Sequence, residues 1–470
     1  MRILPASGAV IAAALIAAAP LSAQAPSTIP GVTAAPMSAE DLVTLPRLGA
    51  PAVNAAGTLA VYTVTVTDPE TLKRTPQHYL IDLARPGAAP VPLAIAIRAS
   101  GLAFDADGAL YFLSSEHPDG AGAAARGRVW RVTLGKDGAA GAPQLVAGFP
   151  DADIAGFKLA STGDAIAVWG EVPRECRTFG CADAKARYLP GPGSGRLYDG
   201  SDGFVRHWDR WATPGLHNRI FVFGLVDGKV VGEGVPVDGD DPATGLVADT
   251  PTMPFGGAEE IAFSPDAEQL YFTARKADGA EPGSTNLDIY VSDLLGAPPR
   301  NLTADNTATD TTPAISPDGR YLAWLAMDRP TYEADRLSIR LMDFHTGETR
   351  NLTKDTDLSF GSLAWAPDGK HLIATAQKVL DTPAFRIDIA TGKVTELNLM
   401  AGNEAHIANL VPLPKGGALF TRDSLGAPAE LFLSDGMGQA RPLTDIATTR
   451  MGQMANIVTR RFSFTGANGD

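Results

Sequence analysis

A short pattern that returns about every 50 residues constrains this chain more than any other feature. Each copy is a tight turn followed by an apolar run. The clearest are Ser264-Pro265-Asp266-Ala267 before Leu270 to Thr273, Ser316-Pro317-Asp318-Gly319 before Leu322 to Leu325, and Ala366-Pro367-Asp368-Gly369 before Leu372 to Thr375. Earlier copies begin at Asn54, Asp105 and Ser161, and a worn one is Leu413-Pro414-Lys415-Gly416. The turn chemistry is explicit: Pro presets φ, Asp bonds nearby backbone, and Gly accepts a positive φ. The runs are rich in β-branched and aromatic residues and read as strands.

A second signal checks the count. Each copy is followed by another strand, among them Tyr79 to Leu83, Val129 to Leu134, Ile289 to Leu294 and Phe385 to Ile389. Several then close with Asn-Leu-Thr or Pro-Leu-Thr, at Asn301, Asn351 and Pro442. Both signals make seven units, so the double-length interval after the third copy is one unit carrying a large insertion. Runs apolar on both faces need a neighbour on each side, which small sheets stacked around an axis provide. The expectation is an all-β, seven-bladed β-propeller over residues 49–460, with one insertion-bearing blade. The regular spacing argues against an array of β-sandwiches. Ahead of it, Ser38 and Asp41 stand as a capping box and predict a short helix in the leader 26–48.

Composition narrows the function classes. The 49 Gly and 36 Pro among 470 residues exclude a helical bundle. A net charge of −14 argues against a nucleic-acid partner. The first 25 residues have a positive start, a short apolar run and small residues ending Ala23-Gln24-Ala25, the layout of a secretory signal cut after Ala25 or Ala23. Export to the periplasm or beyond is therefore expected, with no membrane association after cleavage. The alternative is a retained anchor. In an oxidising compartment Cys176 and Cys181 are either a small disulfide or two unpaired thiols.

No catalytic set is visible. No serine has glycine two residues before and two after it, the seven histidines form no close pair, and neither a metal-ligand pattern nor a nucleotide-binding loop occurs. No metal and no cofactor are expected. The informative region is the insertion from Glu171 to about Trp211. Glu171 follows the strand ending at Trp169-Gly170, where it is either an ordinary surface carboxylate or a group that holds a cation such as a peptide's α-amino group. Arg206-His207-Trp208-Asp209-Arg210-Trp211 is either a recognition rim or a packing wedge between blades with a buried ion pair.

The blades, the segment Trp169-Gly170-Glu171-Val172-Pro173-Arg174-Glu175-Cys176 and the segment Phe204-Val205-Arg206-His207-Trp208-Asp209 resemble the propeller half of the prolyl oligopeptidase family of serine peptidases, on the branch of the dipeptidyl-peptidase V and acylaminoacyl-peptidase-like enzymes. The tail Arg461 to Asp470 resembles the strand by which that family enters its α/β-hydrolase domain. The resemblance implies an oligopeptide substrate, a catalytic domain beyond residue 470 that carries the Ser-Asp-His triad, and a propeller that gates access and helps bind the peptide N-terminus. It points to Glu171 for that binding, with Arg206, His207, Trp208 and Asp209 on the rim. By itself the chain is then expected to be inactive. The other reading is a self-sufficient protein-binding propeller of the periplasmic TolB type, which carries an extra N-terminal domain.

Overall fold

A computed structural model describes residues 34–119, 126–135, 137–181, 195, 203–213, 215–239, 248–276, 279–399, 405–435, 439–455 and 459–469. The expected signal segment lies outside them. Seven antiparallel sheets, each built from consecutive strands except in blade 3, where a two-stranded ribbon intervenes, form a β-propeller. Blade 1 runs from Arg47–Leu48 to Val91–Leu93, blade 2 from Ser100–Phe104 to Gln144–Ala147, and blade 3 from Gly156–Leu159 to Lys229–Pro236. Blade 4 runs from Ile261–Phe263 to Arg300–Asn301, blade 5 from Asp310–Ile315 to Thr349–Asn351, blade 6 from Ser359–Phe360 to Val394–Glu396, and blade 7 from His406–Pro412 to Ala440–Pro442.

Period-two alternation explains why apolar runs build a ring. In the second strand of blade 4, Leu270, Phe272 and Ala274 pack toward blade 3 while Tyr271 packs toward blade 5. In blade 5, Leu322, Trp324 and Ala326 face blade 4, and Ala323 and Leu325 face blade 6. Apolar clusters fill all seven junctions. Each fully buried Phe contributes about 1.5–3 kcal/mol relative to exposure. Blades 7 and 1 share no strand. Side chains close the ring there, with Ala60, Tyr62 and Ile81 of blade 1 against Leu413, Leu419 and Leu431 of blade 7.

The repeated signatures are hydrogen-bonding devices. In blade 5, Ser316 Oγ donates to Asp318 Oδ1 (2.6 Å) and accepts from Tyr321 N (2.8 Å). The glycine of one blade's turn meets the proline of the preceding one: a Cβ on Gly319 would lie 3.6 Å from Pro265 and one on Gly369 would lie 3.9 Å from Pro317. The Asn-Leu-Thr ending is a latch. Asn301 Oδ1 accepts from Thr303 N (2.9 Å), and Thr303 Oγ1 accepts from Ile289 N of the neighbouring strand (2.9 Å). Thr353 and Thr444 accept from Ile339 N and Leu431 N in the same way.

Because strands alternate in direction, all Ser-Pro-Asp-Gly-type turns lie on one face of the ring. The connections between second and third strands, and the crossovers between blades, lie on the other, termed here the loop face. It receives the described parts of the blade 3 insertion, residues 174–181 and 203–213. It also receives helix α1 (Ala39–Thr44) and the segment after Pro442, including helix α2 (Thr448–Met451). The capping box of α1 is formed, with Asp41 N donating to Ser38 Oγ (3.1 Å) and Ser38 N to Asp41 Oδ2 (3.0 Å). Arg450 ties α1 to α2 through Asp41 Oδ1 (3.0 Å) and Thr44 Oγ1 (2.8 Å). Buried Glu430 accepts from Ile446 N, Ala447 N, Thr444 Oγ1 and Thr448 Oγ1 and anchors the same segment to blade 7.

A candidate peptide-binding recess on the loop face

The second strand of blade 3 runs on to Pro173, past the end expected at Gly170. Its partner Leu216–Val226 is eleven residues long and keeps pairing, so Glu171 sits inside the ladder opposite Asn218. Asn218 brings a second carboxylate in: its N–H donates to Asp249 Oδ1 (2.7 Å), and its Nδ2 donates to Pro251 O (2.9 Å). A third, Glu281, comes from the blade 4 loop. Burial pushes Asp249 up to about 6, with the negative charge of Glu171 adding to the effect. Burial and then Asp249 push Glu281 up to about 7. Three carboxylates from three segments are therefore brought together, with Asp249 repelled by Glu171 and Glu281 repelled by Asp249. Arg174, Arg210 and Arg275 offset part of that charge. Burial, with Arg174 and Arg219 nearby, holds His217 neutral at about 3.

The floor of the recess is rigid. Buried Arg219 forms a bidentate pair with Asp238 (2.7 Å to each oxygen) and donates from Nη1 to the carbonyls of Pro173, Arg174 and Cys176. It thereby fixes the turn that leaves the strand just beyond Glu171. Cys176 and Cys181 form a disulfide that closes this turn.

The rim is a short ribbon, Arg206–His207 paired with Arg210–Trp211. Arg210 Nη2 reaches Glu171 Oε2 at 3.9 Å, with both side chains partly exposed, so this pair is not the buried one that a wedge requires. His207 stacks on Phe204 (4.1 Å between centroids), and its Nδ1 bonds Met253 O (3.0 Å). Arg206 lies over the Trp211 ring at 5.6 Å. Trp208 and Asp209 form the exposed tip, with Trp208 63% exposed and edge-on to Phe255. The ribbon's tryptophans thus face outward rather than between blades. Asp249 and Glu281 were not legible in the sequence as site residues. They are about 78 and 110 residues beyond Glu171, a spacing with no local period. The one available signal was His217-Asn218-Arg219, three polar residues inside a buried strand.

The rest of the loop face is apolar at its tips. Leu72, Tyr332, Val379, Leu380 and Leu425 stand exposed on the loops of blades 1, 5, 6 and 7. Among the described residues the opposite face offers only Val226 and Leu295 of this kind. Among the described residues, no group of His, Cys, Asp and Glu is arranged to hold a metal ion. No described helix is long and apolar enough to cross a membrane. Among the described residues two His-Asp pairs are tight, and each turns its other nitrogen away from a hydroxyl: His371 Nδ1 lies 2.6 Å from Asp368 Oδ2 with Nε2 toward Asp388, and His406 Nδ1 lies 2.7 Å from Asp423 Oδ1 with Nε2 toward the carbonyl of Leu380.

Comparison with known proteins matches this architecture to peptidases. The chain is 28% identical over 198 residues to dipeptidyl-peptidase 5 of Porphyromonas gingivalis, which covers 42% of this chain and 28% of that one. It is 34% identical over 150 residues to dipeptidyl-peptidase 5 of Porphyromonas endodontalis, which covers 32% of this chain and 20% of that one. The chain is similar to dipeptidyl-peptidase 5. The matched stretch spans less than a third of these curated relatives. Among solved structures, Pyrococcus horikoshii acylaminoacyl peptidase superposes with a TM-score of 0.64 at 14% identity, over 91% of this chain and 57% of that one. The β-propeller domain of the Trilobed protease from Pyrococcus furiosus, described as having an open velcro topology, gives 0.53 at 11% identity over 86% of this chain and 99% of that one. At these identities the superpositions establish the fold. No family model matches the chain.

Proposed function

We propose that this propeller is the substrate-binding and gating part of an exported serine peptidase of the dipeptidyl-peptidase kind. It takes the free N-terminus of an oligopeptide into the Glu171 recess beside a hydrolase domain seated on the loop face. The observation that carries the reading is the recess itself: three carboxylates brought from three segments to the end of one strand, with Glu281 buried and Glu171 and Asp249 partly exposed. A cation entering there relieves their repulsion, and a peptide's α-ammonium is the cation that such a peptidase meets. The same charge favours a dipeptidyl over an acylaminoacyl specificity, because an acylated N-terminus carries no charge to pair. Trp208 and Phe255 supply apolar surface for the first side chains, and Arg206, His207 and Asp209 shape the rim around them. The exposed leucine, valine and tyrosine tips of the loop face support the seating of a second domain, since apolar surface in such concentration marks an interface.

The test is calorimetric. Gly-Phe amide and its N-acetyl form are titrated into the full chain. The free amine binds at least tenfold more tightly, a difference of about 1.4 kcal/mol, and Glu171→Gln removes most of that preference. Equal affinity for the two forms contradicts the proposal.

A further inference from the structure

A second unassigned site lies two blades away. Between blades 1 and 2 a cleft of about 650 Å³ opens on the loop face, lined by Lys73, Arg74, His78, Leu93, Arg98 and Glu116 among others. It exists because two strands part company. The strand Arg74–Asp82 pairs with its inner neighbour along its whole length but with the outer strand Val91–Leu93 only at His78 to Leu80. Beyond Leu93 the chain turns away toward blade 2, where Ala94 bridges Ala139. The outer edge of Arg74 to Gln77 is left uncovered and becomes one wall of the cleft.

The charge of the cleft is opposite to that of the molecule. Lys73, Arg74 and Arg98 all line it and are exposed, and among the described residues none has a carboxylate partner. Its one acid, Glu116, is already engaged, with Oε2 accepting the backbone N–H of Arg98 at 2.9 Å. Three unpaired cations gathered in one cleft stand out in a chain of net charge −14. The walls between them are apolar: Leu93 and Ile97 are buried, and Ile95 is half-buried. Pro76 on the open edge has no N–H to give, so the edge is a poor template for adding a strand. Recognition there falls to side-chain charge.

We propose that this cleft binds an acidic peptide segment, its carboxylates taken by Lys73, Arg74 and Arg98 and its aliphatic parts lying against Ile95. The dimensions suit an extended stretch of a few residues, and the overall negative charge of the chain disfavours such a segment elsewhere on the surface. The site is independent of the Glu171 recess, and the test separates the two.

The probe is Ac-Gly-Glu-Leu-Glu-Gly amide, whose blocked N-terminus cannot use the recess, alongside the same peptide with Gln for Glu. Binding to the full chain is followed by calorimetry at low ionic strength. The Glu peptide binds, and the Gln peptide binds about tenfold more weakly or less. The exposed triple substitution Lys73→Ala, Arg74→Ala and Arg98→Ala loses at least tenfold. Lys229→Ala, Lys415→Ala and Arg441→Ala, which remove the same charge from exposed positions on other blades, change affinity by less than twofold. Glu171→Gln has no effect. Equal losses in the two triple variants make the effect one of overall charge and overturn the proposal, as does equal binding of the two peptides, absence of binding, or displacement of the peptide by equimolar inorganic phosphate.

Discussion

The ring closes on side chains rather than on a shared strand, and a single methyl group tests whether that seam is as tight as the structure makes it. Gly57, in the first turn of blade 1, has φ +66°, and a Cβ there would lie 2.6 Å from Cδ of Pro414 in the last blade's turn. Gly369 is the internal control. It has φ +63°, yet its Cβ would meet Pro317 at 3.9 Å, an ordinary contact. An alanine at either site pays about 1–2 kcal/mol for the left-handed conformation, offset by about 0.4–1 kcal/mol from the stiffer unfolded chain. Gly369→Ala therefore costs about 0.5–1 kcal/mol. Gly57→Ala adds overpacking against a rigid ring, about 1–3 kcal/mol more, for a total of about 1.5–4 kcal/mol. Urea denaturation followed by tryptophan fluorescence reads both, and Pro414→Ala in the Gly57→Ala background recovers part of the loss. Equal shifts for the two alanines, or no recovery, refute the close-packed junction of blades 1 and 7.

Two further outcomes concern the recess. Arg219→Met leaves Asp238 buried without its partner and frees the turn after Pro173, so stability falls by about 3–5 kcal/mol in thermal denaturation; a loss below about 1 kcal/mol contradicts the clamp. The affinity for Gly-Phe amide is bell-shaped in pH. It rises between about pH 5 and 7 as Asp249 and Glu281 ionise, and it falls above about pH 8 as the peptide amine loses its proton. Both carboxyls titrate above their unfolded values, so the stability of their protonated forms is complete below about pH 4 and is lost as pH rises through 6–7. The ligand accordingly raises the melting temperature more at pH 7.5 than at pH 5, and a flat profile contradicts this reading.

The propeller was legible because its signals are local. Ser-Pro-Asp-Gly specifies a turn within four residues, Asn-Leu-Thr latches a strand through its own side chains, and both-face apolar runs imply neighbours on either side. The recess was legible only at Glu171, and even there the strand was read three residues short, because the pairing that extends it to Pro173 comes from Leu216–Val226, beyond the insertion. Asp249 and Glu281 enter through crossovers whose course depends on blades 3 and 4 packing together. The cleft between blades 1 and 2 is set by where one outer strand stops, which Val91-Pro92-Leu93 does not announce.

The most direct measurement is a crystal structure of the chain soaked with Gly-Phe amide. The account predicts the ligand's ammonium within hydrogen-bond distance of a Glu171 carboxylate oxygen, with its aromatic ring toward Trp208 and Phe255. A ligand bound with its amine facing solvent, or bound on the face of the Ser-Pro-Asp-Gly turns, contradicts it.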